Sequence, residues 1–256
     1  MIAKNLKHKP ILVMDSGVGG LTVLHTLIDV LPKERYIFFA DFDNAPYGNL
    51  SIKKLQSIVL DRVSLLYQKY QPKCLILACN TATAGVIYQI REKFSDCIVV
   101  GTEPAIKPAL KYCKKVLVLA TKGTIQNSGL LKLASTNKSE SLELLALPEL
   151  AKLIEQNIEN LDLILPYLNE KLQVYVGKVD GIVLGCTHYL FIKHLITKIF
   201  GEDVKIFDGN IGVAKRVQSC LNLLNLEEDR ENIISTRLIC TKRFDSKLLK
   251  FAWELL

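Results

Sequence analysis

The sequence lacks long apolar runs and closely spaced cysteine pairs. Its longest apolar runs are the length of one strand, well short of the roughly 20 apolar residues of a membrane-spanning helix. The start, MIAKNLKHKP, carries charge with no apolar segment after it, so we expect neither a signal peptide nor a membrane partner. The seven cysteines include no CxxC pair, which argues against a disulfide framework or structural zinc site. An odd number of cysteines suits a reducing cytoplasm.

A basic stripe with interleaved aromatic residues is also missing. The net charge is +7, but three of the positive charges are Lys4, Lys7 and Lys9 near the start. We therefore expect no nucleic-acid partner. With 49% apolar and 23% charged residues among 256, the chain is typical of a folded protein of one large or two small domains.

Short apolar runs alternate with longer amphipathic segments along the whole chain. The predicted strands are residues 11–14, 36–40, 74–78, 97–101, 116–120, 142–148, 181–185, 204–207 and 236–240. The predicted helices are 21–31, 52–66, 82–93, 104–113, one from 125, 149–159, 161–175, 190–200, 211–225 and a last one with Trp253; the clearest loop is 135–141. This order predicts a doubly wound α/β fold with mainly parallel sheets.

Two internal matches indicate that the α/β unit is duplicated. Residues 11–17 (ILVMDSG) align with 116–122 (VLVLATK), and 74–82 (CLILACNTA) with 181–189 (GIVLGCTHY), at nearly the same offset. Apolar strands also resemble one another by chance. Because a cysteine falls in register in both copies of the second match, we favour duplication, with an active site between the copies.

Cys79 and Cys186 each follow a buried strand where a helix is about to begin, the edge at which open α/β sheets bind ligands. Unpaired N–H groups at a helix start lower the pKa of a thiol and favour the thiolate. Two such thiols could take a proton from one face of a carbon and return one to the other. The pattern predicts a racemase or epimerase, with Asp15 and Glu155 tuning the thiols and His188 assisting the proton transfers of Cys186. The alternative is two ordinary buried cysteines.

Three other sites compete with this interpretation. DSGVGG (15–20), with Asp41 after the next strand, is similar to a dinucleotide fingerprint, although the third glycine of GxGxxG is missing. Cys186 and His188 could serve a hydrolase, but we expect side chains two residues apart to diverge at a strand-to-helix turn. A metal site built from Cys79, Cys186 and His188 would lack a clear fourth ligand.

A series of motifs resembles a known family along nearly the whole chain past residue 10. The motifs are DSGVGG (15–20), PYG (46–48), ACNTA (78–82), VVGTEPA (99–105), ATKGT (120–124), PELAKLIE (148–155) and LGCTHY (184–189). In this order they are similar to those of the cofactor-independent glutamate racemases. The resemblance implies cytoplasmic interconversion of L- and D-glutamate without cofactor or metal, supplying peptidoglycan synthesis. A related aspartate- or hydantoin-type racemase is the near alternative.

The resemblance also implies how the chain is divided. Residues 1–100 with 209–256 would form the first α/β domain, and residues 101–208 the second, with the active site in the cleft between them. We also expect a homodimer, whose geometry the sequence does not define.

Carried over residue by residue, the resemblance makes Cys79 the acid/base for D-glutamate and Cys186 the acid/base for L-glutamate. Asp15 matches the acid beside the first thiol, and Glu155 and His188 match the groups near the second. Hydroxyls, amides and helix-start N–H groups suit a dianionic amino acid. The implied substrate-binding residues are Asp15, Ser16, Tyr47, Gly48, Asn80, Thr81, Thr121, Thr187 and His188.

Some positions depart from the family pattern. Phe42 and Asn44 interrupt the Asp, Ser or Thr, Ala, Arg run that is common before Pro46. Leu190 replaces a frequent proline, and the motif that ends at Glu155 is looser than usual. None of these departures involves the two cysteines.

Overall fold

The computed structural model describes residues 6–127, 129–131, 142–229, 235–241, 248, 252–254 and 256. Within them the chain forms two parallel sheets, each accompanied by helices. The doubly wound α/β fold predicted from the alternation of apolar runs is confirmed. The loop predicted at 135–141 lies outside the described residues.

The strands coincide with the apolar runs. They are β1 (Ile11–Asp15), β2 (Arg35–Ala40), β3 (Cys74–Leu77), β4 (Ile98–Gly101), β5 (Val116–Ala120), β6 (Leu142–Ala146), β7 (Gly181–Gly185), β8 (Lys205–Phe207) and β9 (Ser235–Cys240). The first sheet has the order β4–β3–β1–β2–β9 and the second has the order β6–β5–β7–β8. All of these neighbours pair in parallel.

The central strands β3, β5 and β7, and β1 up to its last residue, are apolar throughout because both of their faces are covered. In β1, Ile11 and Val13 belong to one hydrophobic core, and Leu12 and Met14 belong to another. Side chains alternate between the two faces of a strand, so a strand covered on both sides needs apolar residues at every position.

The helices lie between these strands. They are α1 (Leu21–Val30), α2 (Ile52–Tyr70), α3 (Asn80–Lys93), α4 (Ile106–Tyr112), α5 (Lys122–Asn127), α6 (Leu150–Gln156), α7 (Leu165–Leu172), α8 (Lys193–Phe200) and α9 (Asn210–Leu223). Short 3-10 turns occur at Val18–Gly20, Tyr47–Asn49, Leu161–Ile164, Gln173–Tyr175 and Thr187–Ile192. Trp253 is helical, as predicted. In the part of the chain that the structure describes, no helix has the length and apolar character needed to span a membrane.

Some helix boundaries differ from those predicted. α3 begins at Asn80, so that Cys79 directly precedes it. The helix predicted at 161–175 is α7 between two 3-10 turns, because Pro166 lacks an N–H group and lies in the first turn of α7. The helix predicted at 190–200 opens as a 3-10 turn directly after Cys186.

Parallel pairing brings the carboxyl ends of neighbouring strands to one edge of each sheet. β1 lies beside β3, and β5 lies beside β7. Asp15 ends β1 and Cys79 follows β3 in the first sheet, whereas Thr121 follows β5 and Cys186 follows β7 in the second. Four predicted site residues therefore lie at equivalent edges of the two sheets.

Candidate active site

Cys79 is the N-cap residue of α3 and is buried. Burial and, after it, the carboxylate of Asp15 raise the pKa of the Cys79 thiol. The backbone N–H groups of Ala82 and Thr81 oppose only part of this rise. The helix start alone would lower the pKa, as expected from the sequence, but loss of water and a nearby negative charge outweigh it. Cys79 is therefore a thiol in the free protein.

Asp15 connects the first sheet to the segment after Cys186. Its Oδ1 accepts the N–H of Gly17 at 3.0 Å, and its Oδ2 accepts the hydroxyl of Thr187 at 3.1 Å. Burial raises the pKa of Asp15, and the opposing effects of His188 and of these hydrogen bonds are smaller. Asp15 therefore joins the Cys79 side of the site to Thr187, the residue that follows Cys186.

Cys186 has different neighbours, His188 and Glu155. The Sγ of Cys186 lies 3.8 Å from His188 Nδ1, and His188 Nε2 lies 2.8 Å from Glu155 Oε1. Burial lowers the pKa of His188, but the hydrogen bonds with Cys186 and Glu155 outweigh it and hold the pKa well above its ordinary value. The pKa of Glu155 is lowered. Burial alone would raise it, but the hydrogen bond and the charge of His188 outweigh burial. The His188 ring thus lies between the Cys186 sulfur and the Glu155 carboxylate.

The expectation that the side chains of Cys186 and His188 diverge is wrong. Cys186 has an extended backbone (φ −148°, ψ 136°), and a 3-10 turn begins at Thr187. This turn brings His188 Nδ1 to within 3.8 Å of the Cys186 sulfur. The objection to a Cys–His pair therefore does not apply, and the role of this pair has to be judged from the whole site.

The glycines of DSGVGG provide space for the second sheet's residues. A Cβ on Gly19 would lie 2.5 Å from His188 Nδ1, and one on Gly17 would lie 3.1 Å from the Cδ of Glu155. Nearby, the N–H of Val18 donates to Glu155 Oε1 at 3.0 Å. Glycine is needed here so that the backbone can approach the His188–Glu155 pair. The same residues would crowd a dinucleotide pyrophosphate.

Asp41, the other half of the apparent dinucleotide fingerprint, is already bound within the protein. It is fully buried, and its carboxylate accepts the hydroxyl of Tyr47 at 2.7 Å and the amide of Asn44 at 2.9 Å. Arg62 Nε lies 3.4 Å from the same carboxylate. These contacts leave Asp41 no role in holding a ribose.

A small chamber of about 20 Å³ separates the two thiols. Its lining contains Cys79, Cys186 and eight of the nine predicted substrate-binding residues, namely Ser16, Tyr47, Gly48, Asn80, Thr81, Thr121, Thr187 and His188. Asp15 is fully buried and accepts a hydrogen bond from Thr187 of the lining, and Glu155 instead lines an adjoining outer cleft of about 320 Å³. The chamber has room for about one water molecule.

Residues 37–216 match the Asp/Glu/Hydantoin racemase family, which is more than half of the chain. The chain belongs to this family. A glutamate racemase of Clostridium botulinum (strain Loch Maree / Type A3) is 35% identical over 255 residues, covering 98% of each protein. A glutamate racemase of Clostridium perfringens is 37% identical over 231 residues, covering 88% of each.

Solved structures of racemases resemble the whole chain. A glutamate racemase isoform from Bacillus anthracis superposes with a TM-score of 0.85 at 32% identity, covering 97% of this chain and 94% of that one. A glutamate racemase from Francisella tularensis in complex with D-glutamate has a TM-score of 0.83 at 27% identity, covering 98% and 94%. The resemblance to glutamate racemases that the motifs predicted is confirmed.

One polar residue of this racemase's chamber was missed by the sequence analysis. Thr124 Oγ1 lies 3.1 Å from Thr81 Oγ1 and 3.0 Å from Thr121 Oγ1, and the latter two hydroxyls are 2.8 Å apart. The three hydroxyls form a hydrogen-bonded triangle between α3 and the start of α5. The signal was available, because Thr124 lies one helical turn after Thr121 in the motif ATKGT.

The metal alternative is not favoured by the donor geometry at the chamber. Over the described ranges, the one group of three potential metal ligands close enough to share an ion is His8, Glu228 and Asp229. It contains neither cysteine, and His8 precedes β1, at the opposite end of that strand from Asp15. Cys79, Cys186 and His188 therefore do not form a group that could share one ion in this part of the structure.

Proposed function

We propose that this protein is a glutamate racemase that exchanges the α-proton of its substrate between Cys79 and Cys186. The observation that carries the proposal is that these two thiols, from the ends of β3 and β7, line one chamber. A racemase acting by two bases needs an acid/base on each face of the same carbon. The similarity to glutamate racemases over nearly the whole chain supports glutamate as the substrate.

The two thiols have different neighbours. The raised pKa of Cys79 favours a thiol there, and His188 Nδ1 lies 3.8 Å from Cys186 Sγ, close enough to exchange a proton with it. Starting from L-glutamate, the Cys186 thiolate takes the α-proton, and the electron pair of that C–H bond stays on the α-carbon and its carboxylate. Cys79 then gives its proton to the opposite face. The reverse reaction exchanges the two roles.

Hydrogen-bond donors around the chamber would stabilise the carbanion-like intermediate. Asn80 and Thr81 begin α3, whose first N–H groups have no partner within the helix itself and can turn toward an anion. The hydroxyls of Thr81, Thr121 and Thr124 bond to one another in the free protein and can turn toward a carboxylate. Preorganised donors of this kind would let the thiols act without a cofactor.

Substrate entry requires the chamber to open. An amino acid is much larger than the single water molecule that the 20 Å³ chamber could hold. Ser16, Pro46 and His188 line both the chamber and the outer cleft, so the cleft is the natural entrance. We propose that residues 1–100 with 209–256 and residues 101–208 act as two domains that separate and close around glutamate.

The biological setting is proposed from the family. D-glutamate made by this enzyme would supply peptidoglycan synthesis in the cytoplasm, where the seven free cysteines of the chain suit reducing conditions. We further propose that the enzyme acts as a homodimer. Size-exclusion chromatography with light scattering would test this, and a single monomeric species at working concentration would contradict it.

The function is tested by incubating purified protein, dialysed against chelator, with D-glutamate in D2O. We expect L-glutamate to appear together with deuterium at the α-carbon, as measured by circular dichroism and mass spectrometry. Turnover of D-aspartate but not D-glutamate would make the substrate assignment wrong. A requirement for added NAD would overturn the cofactor-independent mechanism.

A further inference from the structure

Two buried carboxylates flank β2, one before its first residue and one after its last. Glu34 precedes the strand and pairs with Lys73 at 2.6 Å. Asp41 follows it and is fully buried. Because ligands bind beyond the carboxyl ends of parallel strands, only Asp41 is at the edge that contains the chamber.

The partners of Asp41 all stabilise the segment that forms one wall of the chamber. Its carboxylate accepts the hydroxyl of Tyr47 at 2.7 Å, and both of its oxygens accept the amide of Asn44, at 2.9 and 3.1 Å. Arg62, from α2, approaches Oδ1 to 3.4 Å and neutralises the charge. A buried carboxylate with this many donors holds them in one arrangement.

Tyr47 connects Asp41 to the chamber wall. Pro46, Tyr47 and Gly48 line the chamber, and Gly48 packs so closely on the second sheet's Thr121 that a Cβ there would lie 2.8 Å from the Thr121 Cβ. The Tyr47 hydroxyl proton is directed at Asp41, so it is not available to the substrate. Tyr47 therefore contributes through its ring and backbone, whose position depends on Asp41.

Asp41 also contacts Asp15, the carboxylic acid near Cys79. The N–H of Asp41 donates to the backbone carbonyl of Asp15 at 3.0 Å. The same short segment thus joins the end of β1, the chamber wall and, through Gly48, the second sheet.

We infer that Asp41 is a positioning residue for racemisation, which holds Pro46–Gly48 against the substrate through the Tyr47 hydroxyl. This inference rests on the proposed function, since it concerns the same chamber. Asp41 bonds to Asn44, Tyr47 and Asp15 rather than to either thiol. It acts on substrate binding rather than on the proton-transfer step.

The first test is Asp41→Asn, which keeps the shape and removes the charge. We expect KM for D-glutamate to rise roughly 10- to 100-fold, the range for losing a hydrogen bond to a buried charge, while kcat changes by less than about 3-fold. Tyr47→Phe removes only the link and should give part of the same KM rise. The double variant should be no worse than Asp41→Asn, since both changes break one connection.

The matched control is Glu34→Gln, at the other end of β2. It breaks the buried pair with Lys73 and should lower the melting temperature while leaving KM unchanged. If Asp41→Asn does not fold, KM is measured instead for Arg62→Met and Arg62→Lys. The first should raise KM, and the second should restore most of the binding because it keeps the positive charge.

The outcomes separate this inference from the proposed function. An active wild-type enzyme whose folded Asp41→Asn and Tyr47→Phe variants keep the wild-type KM overturns the positioning role alone. An equal rise in KM for Glu34→Gln does so too, because it would reflect general loosening of the first sheet. A wild-type protein that does not racemise glutamate overturns both.

Discussion

The Cys79 and Cys186 half-sites occupy equivalent places after β3 and β7, yet their ionisable neighbours differ. Cys79 lies at the start of an α-helix beside the carboxylate of Asp15, and its pKa is raised by burial and by that carboxylate. Cys186 lies at the start of a 3-10 turn, 3.8 Å from His188 Nδ1. Equivalent backbone positions therefore place the two thiols beside different ionisable groups, a carboxyl group for Cys79 and an imidazole for Cys186.

Each half-site is completed by the other half of the molecule. Thr187, next to Cys186, donates to Asp15 on the Cys79 side. Glu155, which orients His188, accepts the N–H of Val18 from the first sheet. The difference between the thiols therefore depends on the two sheets being together, and opening the chamber would change the environment of both.

The largest expected effect is the loss of either thiol. Cys79→Ala or Cys186→Ala should reduce racemisation by roughly 10³-fold or more, because a positioned acid/base is removed from one face of the substrate. Circular dichroism of D- and L-glutamate measures the rate. Cys220→Ala, on α9 and outside the chamber, is the control and should be fully active. Full activity in Cys79→Ala or Cys186→Ala would falsify the two-thiol scheme.

The next largest effect is expected from replacing the ionisable neighbour of each thiol, His188 beside Cys186 and Asp15 beside Cys79. We expect His188→Asn to lower kcat for L-glutamate by about 10²-fold, the contribution of one acid/base group, and to lower kcat for D-glutamate less. Asp15→Asn should show the opposite preference. The equilibrium constant between enantiomers is unity, so kcat/KM must fall equally in both directions for each variant. Equal losses of kcat in both directions for both variants would contradict the assignment of faces.

A smaller effect is expected in the pH profile of Glu155→Gln. Glu155 helps to hold the pKa of His188 well above its ordinary value, so His188 stays charged until the pH exceeds that raised pKa. Without the carboxylate this pKa falls, and the alkaline limb of kcat/KM should move to lower pH. Glu149→Gln, an exposed residue before α6, should leave the limb in place. An unmoved limb in Glu155→Gln would show that His188 does not set it.

The same pair affects stability in a defined direction. A raised histidine pKa stabilises the folded protein fully below the ordinary histidine pKa, and this contribution disappears as the pH rises through the folded value. The melting-temperature deficit of Glu155→Gln should therefore shrink toward alkaline pH. A deficit that grows with pH would reverse the assigned sign.

The smallest expected effects come from two glycines. Gly19→Ala should lower the free energy of unfolding by about 1–3 kcal/mol, because its Cβ would crowd the His188 ring and the packed site has to shift. Gly212→Ala, in α9, meets nothing within 4 Å and should raise it by roughly 0.5–1 kcal/mol. Urea unfolding measures both. Equal values would mean that the two half-sites are not tightly packed at Gly19.

Much of the candidate site was predictable because its residues end strands. A buried parallel strand requires a continuous apolar run, so the runs before Asp15, Cys79 and Cys186 show where each residue leaves its sheet. The helix boundaries were less predictable. The 3-10 turn at Thr187–Ile192 has no distinct apolar period, and it decides that His188 faces Cys186.

One departure from the family pattern before Pro46 also has a structural explanation. Asn44, which interrupts the usual run, donates its amide to both oxygens of Asp41, and Arg62 approaches the same carboxylate from α2. Nothing in the periodicity of α2 distinguishes Arg62 from its other charged residues. The contact depends on how α2 packs against the end of β2.

The sequence by itself determined the alternation of strands and helices, the two thiols at strand ends and the family. These features are local, because they follow from which residues can fill a strand covered on both faces and from short motifs. Only the tertiary structure decided that Glu155 bonds His188, that Thr187 bonds Asp15 and that Asp41 is bound by Tyr47 and Arg62. Thr187 and Asp15 are 172 residues apart, and packing the two sheets together is what brings them within hydrogen-bonding distance. The other pairs form where loops and helices pack at the end of a single sheet, and no apolar period specifies that packing.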